Sequence, residues 1–237
     1  MKRTFIHTYV SVDCVVFGFD NNQLNILLIQ FDRETVQNNY LKLPGSLIYD
    51  HEDVDDAAKR ILFELTGIRR MNLRQYRCFA SPDRARHPAD MMWLDKAYQP
   101  NINRLITVAY LSLCKIDQKL KNISSFKSAQ WCRLSELPML PFDHNQIIEE
   151  ARVEIQRWVD HDPAIIFELL PSKFTISQLH ALYEAIYSKK IDVRNFHKKI
   201  RSMNYIVPLD EKQTNVRHRA ARYYKLDKVM YKKRMGI

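Results

Sequence analysis

The apolar positions of the chain fall into two periodicities. Thr8 to Phe19 (TYVSVDCVVFGF) alternates in part, is rich in Val, Tyr and Phe, and reads as a strand. Asp20-Asn21-Asn22 is a turn signal, and Gln23 to Gln30 (QLNILLIQ) reads as the hairpin partner. After a second turn signal at Leu43-Pro44-Gly45-Ser46 the spacing changes to three and four. Val54, Ala57, Ala58, Ile61, Leu62 and Leu65 form a helical stripe over residues 53–66, and Gly67 ends it. Further strands are predicted at Leu73–Ala80, Arg104–Cys114 and Ser128–Arg133. Asp143 stands as the N-cap of a helix running to about Asp160, with Ile147, Ile148, Ala151, Ile155 and Trp158 on one side. Residues 86–103 show no period and read as a long loop, which in a compact domain is often functional. Asp162-Pro163 marks a domain junction, dividing the chain into residues 1–160 and 161–237.

The second segment opens with a strong helix start. Thr175 is placed to cap, Gln178 to reach back in a capping box, and Phe174 and Leu179 to form a hydrophobic staple. Leu179, Leu182, Tyr183 and Ile186 share one face. Asp192 then caps a second helix whose inner face is predicted to be Val193, Phe196, Ile200 and Met203. That leaves Arg194, Asn195, His197, Lys198 and Arg201 pointing outward. Tyr205–Leu209 reads as a strand, Asp210–Arg222 as a turn bearing Arg217, Arg219 and Arg222, and Arg222–Leu226 as the returning strand.

Charge sharpens this picture. Residues 171–237 hold 16 Lys and Arg against 5 Asp and Glu, a net +11, whereas the preceding 170 residues hold 21 against 22, a net −1, so the whole net charge of +10 comes from the last 67 residues. A basic module on a neutral one points to a polyanion partner. Helix, turn, basic helix and basic hairpin is the winged-helix order. Arg can bond guanine, Asn can bond adenine, and Lys and Arg neutralise phosphate, so this module is read as binding double-stranded DNA. With 46% hydrophobic residues the chain can bury a proper core. No apolar run approaches the ~18 residues of a membrane-spanning helix, and Met1 to Thr8 lacks the apolar block of a signal peptide. Cys14, Cys78, Cys114 and Cys132 form no Cys-x-x-Cys pair and read as reduced core residues of a cytoplasmic protein, with no metal site.

Leu43-Pro44-Gly45-Ser46, Glu52, Ala57-Ala58-Lys59-Arg60 and Glu64-Leu65-Thr66-Gly67-Ile68 resemble a Nudix box. Anchored on Gly67, the pattern puts Ser46 at its first Gly, Glu52 at its first Glu and Arg60 at its Arg. Ile61 falls where the family has its first helical metal-binding Glu, and Leu65 replaces one of the later Glu pair. Positions 61, 64 and 65 project from one helical face, where an enzyme of the family holds Mg²⁺ with carboxylates. Mg²⁺ requires several hard oxygen ligands, and Ile61 and Leu65 offer none. Glu52, Arg60 and Glu64 are therefore expected to persist as bracing ion pairs, and no cofactor is implied.

Over nearly the whole chain the sequence is similar to the Nudix-related transcriptional regulators, the NrtR family. The resemblance extends through Ala109-Tyr110, Phe142-Asp143-His144, Leu169-Leu170-Pro171, Leu182-Tyr183-Glu184-Ala185-Ile186 and Asp192-Val193-Arg194-Asn195-Phe196. It implies an α+β protein: a Nudix α/β/α sandwich that binds a metabolite, then a winged helix that binds a palindromic operator as a homodimer. Members sense ADP-ribose-type nucleotides or sugars such as L-arabinose, and the degenerate box places this chain nearer the sugar-responsive branch. Lys42, Glu64, Asp83, Arg84 and Arg104 are the candidate effector-binding residues. The alternative is a Nudix pyrophosphohydrolase acting on ADP-ribose or a nucleoside diphosphate derivative, with Glu52, Asp53 or Glu64 as substitute ligands.

Overall fold

The structure is a computed structural model that describes residues 8–20, 22–31, 40–98, 102, 104–121, 123, 129–214 and 220–236. Its contacts divide it into two compact units. One comprises the chain through Phe17 with residues 25–113 and 117–151; the other comprises residues 18–24, 114–116 and 152–237.

In chain order the first unit draws on β1 (Tyr9–Asp20), β2 (Gln23–Phe31), β3 (Tyr40–Lys42), β4 (Gly45–Leu47), α1 (Val54–Thr66), β5 (Arg74–Phe79), α2 (Pro88–Tyr98), β6 (Leu105–Lys115), α3 (Gln118–Lys121), β7 (Ala129–Arg133) and the start of α4 (His144–His161). Among the described residues the strands form one sheet in the order β3-β2-β1-β6-β5, with β4 paired to β1 and β7 to β2. The central strand β1 is buried on both faces, which is why Val12 to Phe17 reads as a nearly continuous apolar run. Successive side chains alternate between faces. Cys14 contacts the Ala58 carbonyl of α1, while Asp13 faces His144 at the start of α4. Tyr110 of β6 likewise reaches Asp55 of α1, and Tyr76 of β5 donates to the Ile147 carbonyl of α4 at 2.8 Å. The sheet is thus sandwiched between α1 and α4, the expected α/β/α arrangement.

Local chemistry sets the helix ends. Asp53 caps α1 by accepting from Asp56 N at 2.9 Å, and Gly67 closes it at φ 78°, a left-handed conformation that favours glycine. On α4 the buried stripe is Ile147, Ile148, Ala151, Ile155 and Val159; Trp158, expected inside, is half-buried and donates to Glu154. Asp143 precedes the helix as predicted, but its carboxylate is turned to Arg84.

The expected loop of residues 86–103 is instead organised by α2. Asp90, Leu94 and Tyr98, spaced by four, share one face; Leu94 packs with Leu47, Ala85, Tyr98, Ile102, Leu105 and Phe142. The contiguous Met91-Met92 does not fall on that face and stays exposed, which hides the helical period. Of the cysteines only Cys14 is a core residue; Cys78 is exposed and Cys114 and Cys132 are half-buried.

The second unit holds the remainder of α4, β8 (Phe174–Thr175), α5 (Ile176–Tyr187), α6 (Val193–Arg201), β9 (Ile206–Lys212), β10 (Arg222–Leu226) and α7 (Lys228–Met235). The capping box of Thr175 and Gln178 forms as predicted, and Leu179, Leu182, Tyr183 and Ile186 are buried. Arg152 and Gln156 of α4 donate to the Ile186 carbonyl at the end of α5. Strands β8, β10 and β9 form an antiparallel sheet in that order. The first wing strand runs through Asp210 to Lys212, residues assigned above to the turn, because Gln213 N continues the ladder to the Ala221 carbonyl at 2.9 Å. The final helix α7, not anticipated above, is held by Tyr231, which packs edge-on against Tyr205 and bonds Asp162.

Candidate effector cleft and nucleic-acid interface

A polar cleft opens on the α4 face of the first unit. Its floor is Ser11, Asp13 and Thr107, and its walls include Lys42, Gly45, Arg84, Leu94, Tyr98, Phe142 and His144. Arg84 organises it. Nε and Nη2 fork onto Asp143 at 2.9 and 2.8 Å, Nη1 donates to Thr107 at 2.5 Å, and Asp13 lies 3.9 Å from Nη2. Lys42 Nζ donates to the Gly45 carbonyl at 2.8 Å. His144 Nδ1 accepts from Leu43 N at 3.3 Å, leaving Nε2 toward Asp13 at 3.8 Å. From α2, Tyr98 meets the Ser46 hydroxyl at 3.1 Å and Asp90 accepts from Phe142 N at 3.1 Å. Phe142 has φ 57°, a left-handed conformation that is unusual for a bulky residue. The cleft spans about 350 Å³ with its open mouth, but its walls leave only about 30 Å³ of free room, the scale of one or two waters.

Burial governs the charges here. Desolvation raises the Asp13 carboxyl above its usual range, opposed by Arg84, Lys42 and the Thr107 hydrogen bond. Desolvation lowers Lys42 to about 8, opposed by Asp13. Desolvation, reinforced by Lys42 and Arg84 and opposed by Asp143, lowers His144 to about 3 and keeps it neutral. Two acidic side chains thus meet a guanidinium, a lysine amine and a neutral imidazole. Such a buried, interlocked group is costly to desolvate, and clusters of perturbed titratable groups in a cleft mark functional sites.

The segment matching the Nudix box lies on the outer side of α1. Arg60 Nε donates to Glu52 at 2.8 Å, Nη1 to Glu64 at 3.0 Å and Nη2 to the Leu47 carbonyl at 3.2 Å, while its guanidinium lies 4.0 Å from the Tyr49 ring centre. Tyr49 N in turn donates to Glu52 at 2.9 Å. Glu52, Arg60 and Glu64 therefore brace the loop before α1, as expected. Ile61 is fully buried in the core. Among the described residues no group of three or more His, Cys, Asp or Glu is disposed to hold a metal.

Comparison with known proteins assigns the two units. Residues 7–151 match the NUDIX domain model, and residues 166–226 match the NrtR DNA-binding winged helix domain. The chain belongs to the Nudix family and carries the winged helix of NrtR regulators. It is 25% identical over 214 residues to the ADPR responsive transcriptional repressor NtrR of Acinetobacter baylyi, covering 89% of this chain and 79% of that one. Shewanella oneidensis NrtR, solved with a 27mer DNA, superposes with a TM-score of 0.65 at 24% identity, over 92% of this chain and 93% of that chain. A MutT/nudix family protein from Enterococcus faecalis superposes with a TM-score of 0.63 at 21% identity, over 95% of this chain and 89% of that chain.

Of the five residues selected from the sequence for the effector site, this Nudix cleft brings together Lys42 and Arg84. Glu64 is engaged by Arg60 on α1, and Asp83 is exposed and paired with Arg86 at 2.6 Å; neither lines the cleft. Arg104 also lies outside the lining: its Nη2 is bonded to the Ala80 carbonyl, and its buried Nε has no partner among the described residues. Sequence reasoning missed Asp13, Thr107, His144, Asp143 and Tyr98 as site residues. For Asp13 a signal was present, a single acid inside the apolar strand Val10–Phe19.

In the winged helix, Asp192 caps α6 through Asn195 N at 2.9 Å. Phe196 and Ile200 are buried, with the Phe196 ring edge-on to His180 and Tyr183. Val193, assigned to the inner face, is 55% exposed, because the cap places it at the first turn beyond the reach of α5. Arg194, Asn195, His197, Lys198 and Arg201 are all exposed. Arg222 is held within the hairpin by the Leu209 carbonyl and Asp210, both at 2.9 Å. Arg217 and Arg219 lie outside the described residues.

Proposed function

We propose that the protein is a metabolite-responsive, DNA-binding transcription regulator whose Nudix cleft senses rather than cuts its ligand. The carrying observation is the exposed row of Arg194, His197, Lys198 and Arg201 on a capped helix of a winged-helix module. Such a helix can enter the major groove, and as a homodimer would read half-sites about 34–36 Å apart. The A. baylyi relative, named as an ADPR responsive repressor, supports a regulator.

The cleft favours a ligand rich in hydroxyl groups. Asp13 and Asp143 accept, Arg84 and Lys42 donate, and Phe142 and Tyr98 offer faces for a sugar ring. That chemistry is common to ADP-ribose and to a free pentose. The relative that is named as ADPR responsive favours the nucleotide over the free sugar expected from the degenerate box. Either ligand must displace Leu94 or Tyr98 of α2 to gain room. A ligand that binds one arrangement better shifts the population toward it.

Hydrolysis is disfavoured by the donor set. Ile61 is an apolar core residue where the box calls for a carboxylate, and Glu52 and Glu64 are turned onto Arg60, so the residues present do not fit Mg²⁺. Thermal-shift measurements with L-arabinose, other pentoses and ADP-ribose, paired with salt titration on the protein's own promoter duplex, test the reading. A ligand that raises the melting temperature and alters duplex affinity is expected. Mg²⁺-dependent turnover of ADP-ribose, lost in Glu64→Gln, would overturn it.

A further inference from the structure

A slot between α5 and α6 lies to one side of the exposed row of Arg194, His197, Lys198 and Arg201. Tyr183 and Tyr187, one turn apart on α5, stack with centroids 6.0 Å apart and 3° between planes. A lysine sits over each: Lys199 Nζ is 4.6 Å from the Tyr183 centroid and Lys189 Nζ 5.4 Å from that of Tyr187. The Tyr187 hydroxyl donates to Asp160 at 2.6 Å, which fixes the ring and occupies the carboxylate. Asn195 lines the same slot, one turn before Lys199. Both lysines are exposed, and neither has an ion-pair partner among the described residues.

Two features distinguish this slot from an ordinary solvated face. The ammonium groups are steadied over ring faces rather than left to sample rotamers. The helix also divides its polar residues: Arg194, Lys198 and Arg201, spaced by four and three, share the outermost stripe, while Asn195 and Lys199 share the flank beside α5. A helix seated in a groove turns its outer stripe to the bases and its flank to the bordering strand.

We propose that the slot seats the sugar–phosphate backbone of the DNA strand bordering that groove. Lys189 and Lys199 each neutralise one phosphate, and Asn195 donates to the same backbone instead of reading an adenine. The proposal rests on the DNA-binding reading and adds to it which residues position and which specify.

The test is a salt titration of full-length protein on its promoter duplex and on a scrambled duplex of equal length. Lys189→Gln and Lys199→Gln should each take about 0.9 off the slope of log affinity against log salt. The ratio of promoter to scrambled affinity should stay unchanged in both variants and in Asn195→Ala. Lys199→Arg should keep the full slope, and Lys59→Gln, which removes a charge from α1, should leave it untouched. Wild-type slopes in both Gln variants, with binding intact, overturn the proposal alone. So does a lost promoter preference in Asn195→Ala. Wild-type protein with no salt-sensitive binding would sink the DNA reading together with it.

Discussion

Arg84, in the wall of the Nudix cleft, and Asp143, 59 residues apart, are joined by two parallel hydrogen bonds of 2.9 and 2.8 Å. The guanidinium side chain is 3% exposed and the carboxylate 14%, so each has little water to fall back on. Removing one partner of a buried pair strands the other and costs about 3–5 kcal/mol. Arg84→Met should lower unfolding stability by that order in urea titration. Arg84→Lys should fall between, since a single ammonium cannot fork onto a carboxylate. Pairing Arg84→Met with Asp143→Leu should cost less than the two singles added together. Additive losses would show that the pair is not coupled.

Gly45 meets Asp13 across the β1–β4 pair. A Cβ at position 45 would stand 1.8 Å from Asp13 Oδ1 and 3.1 Å from the Val12 carbonyl. Asp13 cannot swing aside freely because Arg84 and His144 face it. Gly45→Ala should cost about 1–3 kcal/mol and abolish any ligand-induced thermal shift. In an Asp13→Ala background the same substitution should cost clearly less. An equal cost in both backgrounds would place the clash elsewhere.

Much of the fold was legible because one face of each element is apolar with a clear period. The β1–β2 hairpin, α1, α4 and the capping box at Thr175 follow from spacing and end signals alone. The helix α2 was hidden because Asp90, an acid, shares its inner face with Leu94 and Tyr98. The helix α7 was hidden because it buries one residue, Tyr231, and so writes no stripe; its signals are the cap at Asp227 and the stop at Gly236. The site was less legible than the fold. Lys42 and Arg84 were found, but Asp83 and Glu64 look equally suitable in sequence. What separates them is whether a neighbour three or four residues away takes the charge, as Arg86 and Arg60 do. Thr107 and His144 join the cleft only through contacts of long sequence separation.

His144 predicts an acid limb in the stability profile. Its imidazole takes a proton near 6.5 when exposed but near 3 in the folded cleft, first because it is desolvated and then because Lys42 and Arg84 repel the charge. Between these values the unfolded chain binds the extra proton. Its contribution to stability is therefore full above about pH 6.5 and is lost as pH falls toward 3, at up to about 1.4 kcal/mol per unit. Asp13, raised by burial, works in the opposite sense, because its folded form accepts a proton sooner than the unfolded one. Lys42, lowered from 10.5 to about 8, adds stability as pH rises between those values. His144→Asn should flatten the decline between pH 6.5 and 4. An unchanged slope in that variant would assign the limb to the carboxylates.

The outer stripe of α6 should give a signature opposite to that of the slot beside it. Arg194 and Arg201 project from the stripe that faces away from Phe196 and Ile200, and each can fork onto a guanine edge. Arg194→Ala and Arg201→Ala should each weaken promoter binding by about 1–3 kcal/mol and relax the base preference at one position per half-site. Binding to scrambled DNA should fall much less, because base contacts matter only where the matching base is present. Fluorescence anisotropy on a set of single-base promoter variants reads both quantities. If both substitutions weaken promoter and scrambled duplexes alike, these arginines hold phosphate, and base reading must come from His197, Lys198 or the wing.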